Sequence, residues 1–308
     1  MTEAITDTDT FTPDVGVVHK LNKDLRNAAK TLTSDEARYL VDLYYATQEK
    51  RIRAAAQMRE ASKAGEPNEL LKWAFSNFET TEKGIKSALF QYSKSTTVGA
   101  WMLSIHGIGP VLSAGMLAHL SIEPWKCAKA SKKVAACRAG NPHDEDCHSF
   151  ICETAGSFWR FAGLDPTAKW EKKTKRPWNA NLKVLCWKVG QSFMKLRSFD
   201  NDIYGKVYEE RKVYEIARND RGGNAESAQV QLNLKRFGQN KTREILESGK
   251  LPPGQIDARA RRYAVKLFLS HLHHVMYEDR FKTAPPKPYI IAVGEHTHFI
   301  APPLWPVS

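Results

Sequence analysis

The chain is poor in the features that send a protein into or across a membrane. No run approaches the roughly eighteen apolar residues needed to cross a bilayer, and the opening MTEAITDTDTFTPD is acidic and threonine-rich. A secretory leader would be basic and then apolar, so none is expected. Five cysteines in 308 residues is a small, odd number, and the expectation is a reduced, cytoplasmic chain without a disulfide framework. Before residue 95 there is no glycine-rich nucleotide loop, no nucleophile elbow and no HExxH, which removes those enzyme signatures from that part of the chain. Acidic residues are also in deficit: 34 Asp and Glu stand against 46 Lys and Arg, a formal net charge of +12, with an isoelectric point near 9.4. That excess favours a polyanionic partner and says nothing of fold.

Helical periodicity fills most of the remainder, so the fold class expected is mostly α. Residues 1–15 read as a disordered tail and 16–95 as a long helical hairpin. Its first helix runs from about residue 33 to 64, with Leu40, Val41, Tyr44, Ile52 and Ala55 as a broken apolar stripe. Gly65, Glu66 and Pro67 turn the chain. The second helix, 68–93, places Leu71, Phe75, Phe78, Ile85, Leu89 and Tyr92 at alternating four- and three-residue steps, with only Glu82 interrupting the seam. Such a hairpin suits a homo-oligomer interface, a spacer arm, or plain packing on the next domain. Residues 96–198 form that expected central domain, and 199–308 a C-terminal helical region ending in a proline-rich tail. Further helices are expected at 181–195, 200–219, 225–235, 241–247 and 255–281. In the first of these Leu182, Leu185, Val189 and Phe193 point inward, and Cys186 and Trp187 read as packing residues.

Two segments carry most of the functional signal. In IHGIGPVLSAGMLAHL, a short apolar helix ending near Ser104 meets Gly107, Ile108 and Gly109, and Pro110 opens a second helix through His119. This is the sequence form of a helix-hairpin-helix. The glycines permit backbone angles that other residues resist, proline suits a first helical position, and the free amides of the next helix can hold a phosphate. Ile108 is expected to plug the hairpin into the core, while Ser113, Ala114, Gly115 and Ala118 permit close helix packing. The second segment comes about forty residues later. Lys169, Lys172, Lys173, Lys175 and Arg176 interleave with Trp170 and Trp178 against a single acid, Glu171. Cations beside aromatic faces suit a polyanion carrying stackable bases, DNA or structured RNA. Arg259, Arg261, Arg262 and Lys266, in the first turns of the last long helix, offer either a second phosphate-contacting stripe or a solvated face.

Two groups of residues have metal-ligand chemistry. Cys137, His143, Cys147 and Cys152, with Cys127 and His148 nearby, crowd one insertion at 127–152. They suit a structural tetrahedral zinc or free buried thiols. His271 and His274 lie one helical turn apart, and His296 and His298 share a side of an extended tail. These pairs fit either a four-histidine site or hydrogen-bonded core groups.

The order GIGP, apolar helix, FAGLDP, basic loop and NANLKVL resembles the C-terminal transposase domain of the insertion-sequence 116/110/902 family. The resemblance covers roughly residues 95–195, with Gly107 to Pro110, Gly163 to Pro166 and Asn181 to Lys183 at the matching places. The long helical pair before Ser95 is similar to the coiled coil of that family. The resemblance implies a DNA-recombination or mobile-element role. Family members also carry a RuvC-like acidic domain and a nucleophilic serine in a Ser-Gly pair after GLxP. Here no stretch before the helices reads as that domain, and Asp165-Pro166 is followed by Thr167, Ala168, Lys169 and Trp170. The expectation is therefore nucleic-acid binding with no catalytic residue. The alternatives are a transposase completed by a partner chain, for which magnesium would be required, and a structural assembly protein of a phage or plasmid.

Overall fold

Thr33 starts the first long helix with a reciprocal cap. Its hydroxyl accepts from the Glu36 amide at 3.3 Å, and the Glu36 carboxylate accepts from the Thr33 amide at 2.8 Å. The structure is a computed structural model that describes residues 21–122, 154–234, 236–286 and 300–307. In chain order the helices are α1 (Lys23–Ala28), α2 (Ser34–Ala64), α3 (Glu69–Lys94), α4 (Thr97–Ser104), α5 (Pro110–His119), α6 (Ala155–Phe161), α7 (Ala180–Leu196), α8 (Ile203–Asp220), α9 (Ala225–Asn233), α10 (Lys241–Glu247) and α11 (Pro253–Phe281). No strand occurs among the described residues, and the fold is mostly α as the periodicity predicts. None of their helices is long and apolar enough to cross a membrane.

The helices α2 and α3 run antiparallel: the Ser95 hydroxyl, just after α3, donates to the Lys30 carbonyl just before α2 at 3.4 Å, and Gln48 bonds with Glu82 further along. Glu82, which interrupts the apolar seam, is only 8 % exposed. It is bound by Arg51 and by the Gln48 amide, which also reaches the Tyr44 hydroxyl. The interruption is thus a polar layer with its partners supplied. Beyond it α2 has no buried residue after Thr47, and α3 has none before Glu82. About 25 Å of the hairpin therefore stands clear of the core as an arm.

The core gathers residues from all three stretches of the chain. Val41, Leu89, Trp101, Ile108, Leu185, Phe193, Tyr204, Phe268 and Leu272 belong to one buried cluster. Its centre is aromatic: Phe193 stacks on Tyr204 with centroids 4.8 Å apart, and both meet the Phe268 ring edge-on. A small satellite core of Ala228, Leu246, Leu251 and Ile256 holds α9 and α10 against the start of α11.

Several helix boundaries differ from the sequence reading by one to three residues, two of them with a clear local cause. Asp202 accepts from the Gly205 amide at 3.0 Å and so caps α8, which begins at Ile203 and not at 200. Pro253 begins α11, where proline's missing amide leaves no partner unsatisfied.

The tail lies along the surface of this core, as expected. The Trp101 indole donates to the Pro303 carbonyl at 2.8 Å, and the Trp305 indole donates to Glu278 at 2.6 Å. His271 takes up the remaining anchor. Its Nδ1 pairs with the Tyr204 hydroxyl at 2.8 Å and its Nε2 with the Ile300 carbonyl at 2.9 Å. Both ring nitrogens are spent, which removes His271 from a four-histidine site. Burial pushes its pKa down to about 4, so the ring is neutral. His296 and His298 lie outside the described residues.

Candidate nucleic-acid interface

The helix-hairpin-helix is present as predicted. Thr96 caps α4 by accepting from the Gly99 amide at 3.0 Å. The turn then places Gly107 at φ +94°, a conformation that excludes most side chains. Ile108 is 3 % exposed and fills the core below the turn. Gly109 caps α5, with Pro110 in its first turn. Small residues allow close packing: a Cβ on Gly115 would come within 2.8 Å of the Leu185 side chain, so an alanine there would have to push that leucine of α7 aside. The hydroxyl of Ser192, on α7, donates to the Gly107 carbonyl at 2.7 Å and fixes the turn against that helix.

Asn179 begins α7 in two ways. Its side-chain oxygen accepts from the Leu182 amide at 3.0 Å, and its amide reaches His119 at the end of α5. The helix buries Leu182, Leu185, Val189 and Phe193, as the apolar spacing predicts. Cys186 is buried too, and its thiol is pushed up to about 12, which leaves it without nucleophilic character. Trp187 departs from the expectation. It is 60 % exposed, because it lies five residues from Leu182 and two from Leu185 and Val189, on the opposite side of the helix.

That outer side of α7 is cationic. Lys183, Trp187, Gln191 and Lys195 succeed one another at steps of four and form a slowly winding strip about 18 Å long, with Lys188 beside it. Between this strip, the hairpin turn and the base of the arm lies a cleft of about 540 Å³, lined by Lys86, Lys188 and Lys195 and by no acidic residue. The first-turn residues Val111 and Leu112 also line it, and no residue within α5 can satisfy their amides. The Lys188 ammonium sits 3.6 Å from the centre of the Tyr45 ring, and burial lowers its pKa.

The predicted basic loop joins this strip at its N-terminal end. Trp178 packs on Gly163, whose φ of +67° and missing Cβ admit the indole. Lys183 lies over the other part of that ring at 4.2 Å, and Arg176 lies 5.3 Å from the centre of Trp170. Lys169, Lys172, Lys173 and Lys175 are exposed, and Lys173 adopts φ +76° at the tip. Partial burial and the nearby Arg262 and Arg176 lower the pKa of Lys183. Lys266 is lowered by burial and by Arg211 and Arg262, against one opposing carboxylate, Asp165. These like charges crowd one another, with no carboxylate at ion-pair distance from Lys183, Arg262 or Lys266 among the described residues.

The α11 stripe divides. Arg259 is engaged internally, donating to Asn224 at 3.1 Å and Ser227 at 2.9 Å beside Glu215. With Asn219, which bridges to Leu251, it ties the satellite core to α8. Arg261 pairs with Asp257 at 2.8 Å. Arg262 and Lys266 remain for an outside anion, and Lys266 also covers the Trp159 ring at 4.1 Å. Asp165 accepts from the Thr167 amide at 2.8 Å and hydroxyl at 2.7 Å, which makes it the cap of its own turn.

Sequence reasoning missed Lys86, Lys183, Lys188, Lys195 and Trp187. One signal pointed to most of them: from Lys172 to Phe199 the chain holds eight cations, Lys172, Lys173, Lys175, Arg176, Lys183, Lys188, Lys195 and Arg197, and no acid. The zinc candidates Cys137, His143, Cys147 and Cys152 lie outside the described residues. Among those described, no three His, Cys, Asp or Glu side chains are grouped to hold a metal. Comparison of the chain with protein-family models, with curated proteins and with solved structures finds no match.

Proposed function

We propose that this chain is a nucleic-acid-binding protein whose contact surface is the outer side of α7, the basic loop before it and the Arg262–Lys266 edge of α11. The observation that carries the reading is the convergence of cations from three separate segments, with no carboxylate at ion-pair distance from Lys183, Arg262 or Lys266 among the described residues. Protein cations crowd together at a cost, since each lowers the pKa of its neighbours, and a polyanion lifts that cost by neutralising them while its counterions are released. The hairpin turn and the first amides of α5 add a phosphate-sized anion site at the edge of the same surface. A DNA-recombination or mobile-element setting is the context the helix-hairpin-helix and the GLDP segment support. The reading requires binding alone: Asp165, in the GLDP segment, is bonded to Thr167, and no Ser-Gly pair follows that segment.

The test is a mobility-shift titration with duplex DNA, single strands and structured RNA. Wild-type protein is expected to bind at least one of them. Charge reversal at Lys183, Lys188 and Lys195 is expected to abolish the shift while circular dichroism shows an intact helical fold. Absence of binding to all three polymers, or a charge-reversed protein that binds as well as wild type, contradicts the proposal.

A second reading rests on the arm, where Leu70 is 67 % and Trp73 56 % exposed near its tip. Large apolar side chains one turn apart at the end of a projecting hairpin support self-association through the N-terminal helices. Sedimentation of wild type against Leu70→Glu with Trp73→Glu decides it, a single monomeric species for both being the contrary result.

A further inference from the structure

We infer that the cleft beside the hairpin binds single-stranded nucleic acid, with an unpaired base stacked on Trp187 and its flanking phosphates held by Lys86, Lys188 and Lys195. The inference rests on the nucleic-acid reading above and narrows it to one kind of polymer.

The tryptophans of the cationic surface fall into two kinds. Trp159, Trp170 and Trp178 each carry a cation of the protein itself against the ring, respectively Lys266, Arg176 and Lys183. Trp187 carries none: no ring and no cation of the described residues lies against it, and it is 60 % exposed at the rim of the cleft. An indole left bare in water has a large apolar face to cover. The neighbours of Trp187 say what covers it. The cleft wall beside it supplies three ammonium groups and no carboxylate, which turns away cationic partners and suits a phosphate chain. The polar remainder includes Gln191, whose amide offers a donor and an acceptor of the kind that meet base edges or sugars.

A base inside a duplex has both faces covered by its neighbours in the stack, so an indole can stack only on a base that is unpaired or turned out. The cleft volume of about 540 Å³ lies within the range of sites that take one small ligand, and a single nucleotide is on that scale. The lysine strip along α7, about 18 Å long, then continues the track for the neighbouring phosphates toward Lys183 and the basic loop.

The test uses the full chain and fluorescently labelled oligothymidylate, oligouridylate and a blunt duplex of equal length, followed by anisotropy at one fixed salt concentration. Oligothymidylate or oligouridylate, or both, is expected to bind at least about tenfold tighter than the duplex, and the two arms separate DNA from RNA. Trp187→Ala is expected to weaken single-strand binding roughly ten- to a hundredfold, the loss of one stacked base, and Trp187→Phe to restore most of it. Tyr39→Ala, an exposed aromatic on α2 that does not line the cleft, serves as the control that leaves single-strand affinity unchanged. Duplex binding equal to or tighter than both single strands, or Trp187→Ala with wild-type single-strand affinity, overturns the inference. Duplex binding without single-strand preference overturns it while sparing the nucleic-acid reading, and no binding to any of the three polymers overturns both.

Discussion

Ser192 donates its hydroxyl to the Gly107 carbonyl at 2.7 Å, and through that bond the hairpin turn is registered on the helix that carries the lysine strip. At Gly107 a side chain would be strained by the φ of +94°, and its Cβ would press on the Phe193 ring at 3.2 Å. Gly107→Ala is therefore expected to destabilise the fold by about 1–3 kcal/mol, and Ser192→Ala by about 1 kcal/mol. Chemical denaturation checks both. A Gly107→Ala protein as stable as wild type would mean that the turn tolerates a conventional backbone conformation.

The polar layer at the base of the arm gives a second expectation. Glu82 is buried with Arg51 as its charged partner, held also by Gln48. Removing Arg51 alone, as Arg51→Met, leaves the Glu82 carboxylate without its charged partner and is expected to cost about 1–3 kcal/mol. Replacing both, Arg51→Met with Glu82→Leu, is expected to be nearly neutral, because an apolar pair continues the seam. Equal losses for the single and double variants in thermal unfolding would contradict this.

His271 makes stability depend on pH with a definite sign. Burial holds its folded pKa at about 4, below the ordinary histidine value. As pH falls below about 6.5 the unfolded chain takes up a proton that the folded chain refuses, so stability declines until about pH 4 and then levels off. The full loss from this group is about 3 kcal/mol, because a tenfold difference in proton affinity between the folded and unfolded ring corresponds to about 1.36 kcal/mol. His271→Gln is expected to flatten the pH profile across that window relative to wild type. Identical slopes for the two proteins would show that the ring titrates normally.

Much of this fold was legible because it is written in local signals. Pro110 after Gly109 and the apolar spacing of α3 and α7 each act within a few residues, where sequence and structure share one geometry. The polar layer was legible only as an anomaly, since Glu82 reads as a break until Gln48 and Arg51 of the other helix are brought opposite it. The candidate site was half legible. The GIGP turn and the 169–176 loop stand out as motifs, whereas Lys86 and Lys188 come from helices far apart in sequence and join in one cleft only through tertiary packing. Arg259 and Arg261 show the converse. Their spacing matches a phosphate-contacting stripe, yet Asn224, Ser227 and Asp257 take up their donors once α8, α9 and α11 meet. Trp187 was misplaced because an aromatic residue in an apolar helix reads as packing unless its phase relative to Leu185 and Val189 is traced.

The central claim is that cations of α7 and its flanking segments neutralise phosphates, and the dependence of affinity on salt measures that number directly. Plotted as log affinity against log salt, about six contacts correspond to a fall of roughly three decades between 50 and 200 mM. Wild-type protein is expected to show such a slope, and Lys183→Ala with Lys188→Ala and Lys195→Ala to reduce its magnitude by about two to three. A flat salt response in wild type, or an unchanged slope in the triple variant, would contradict the account.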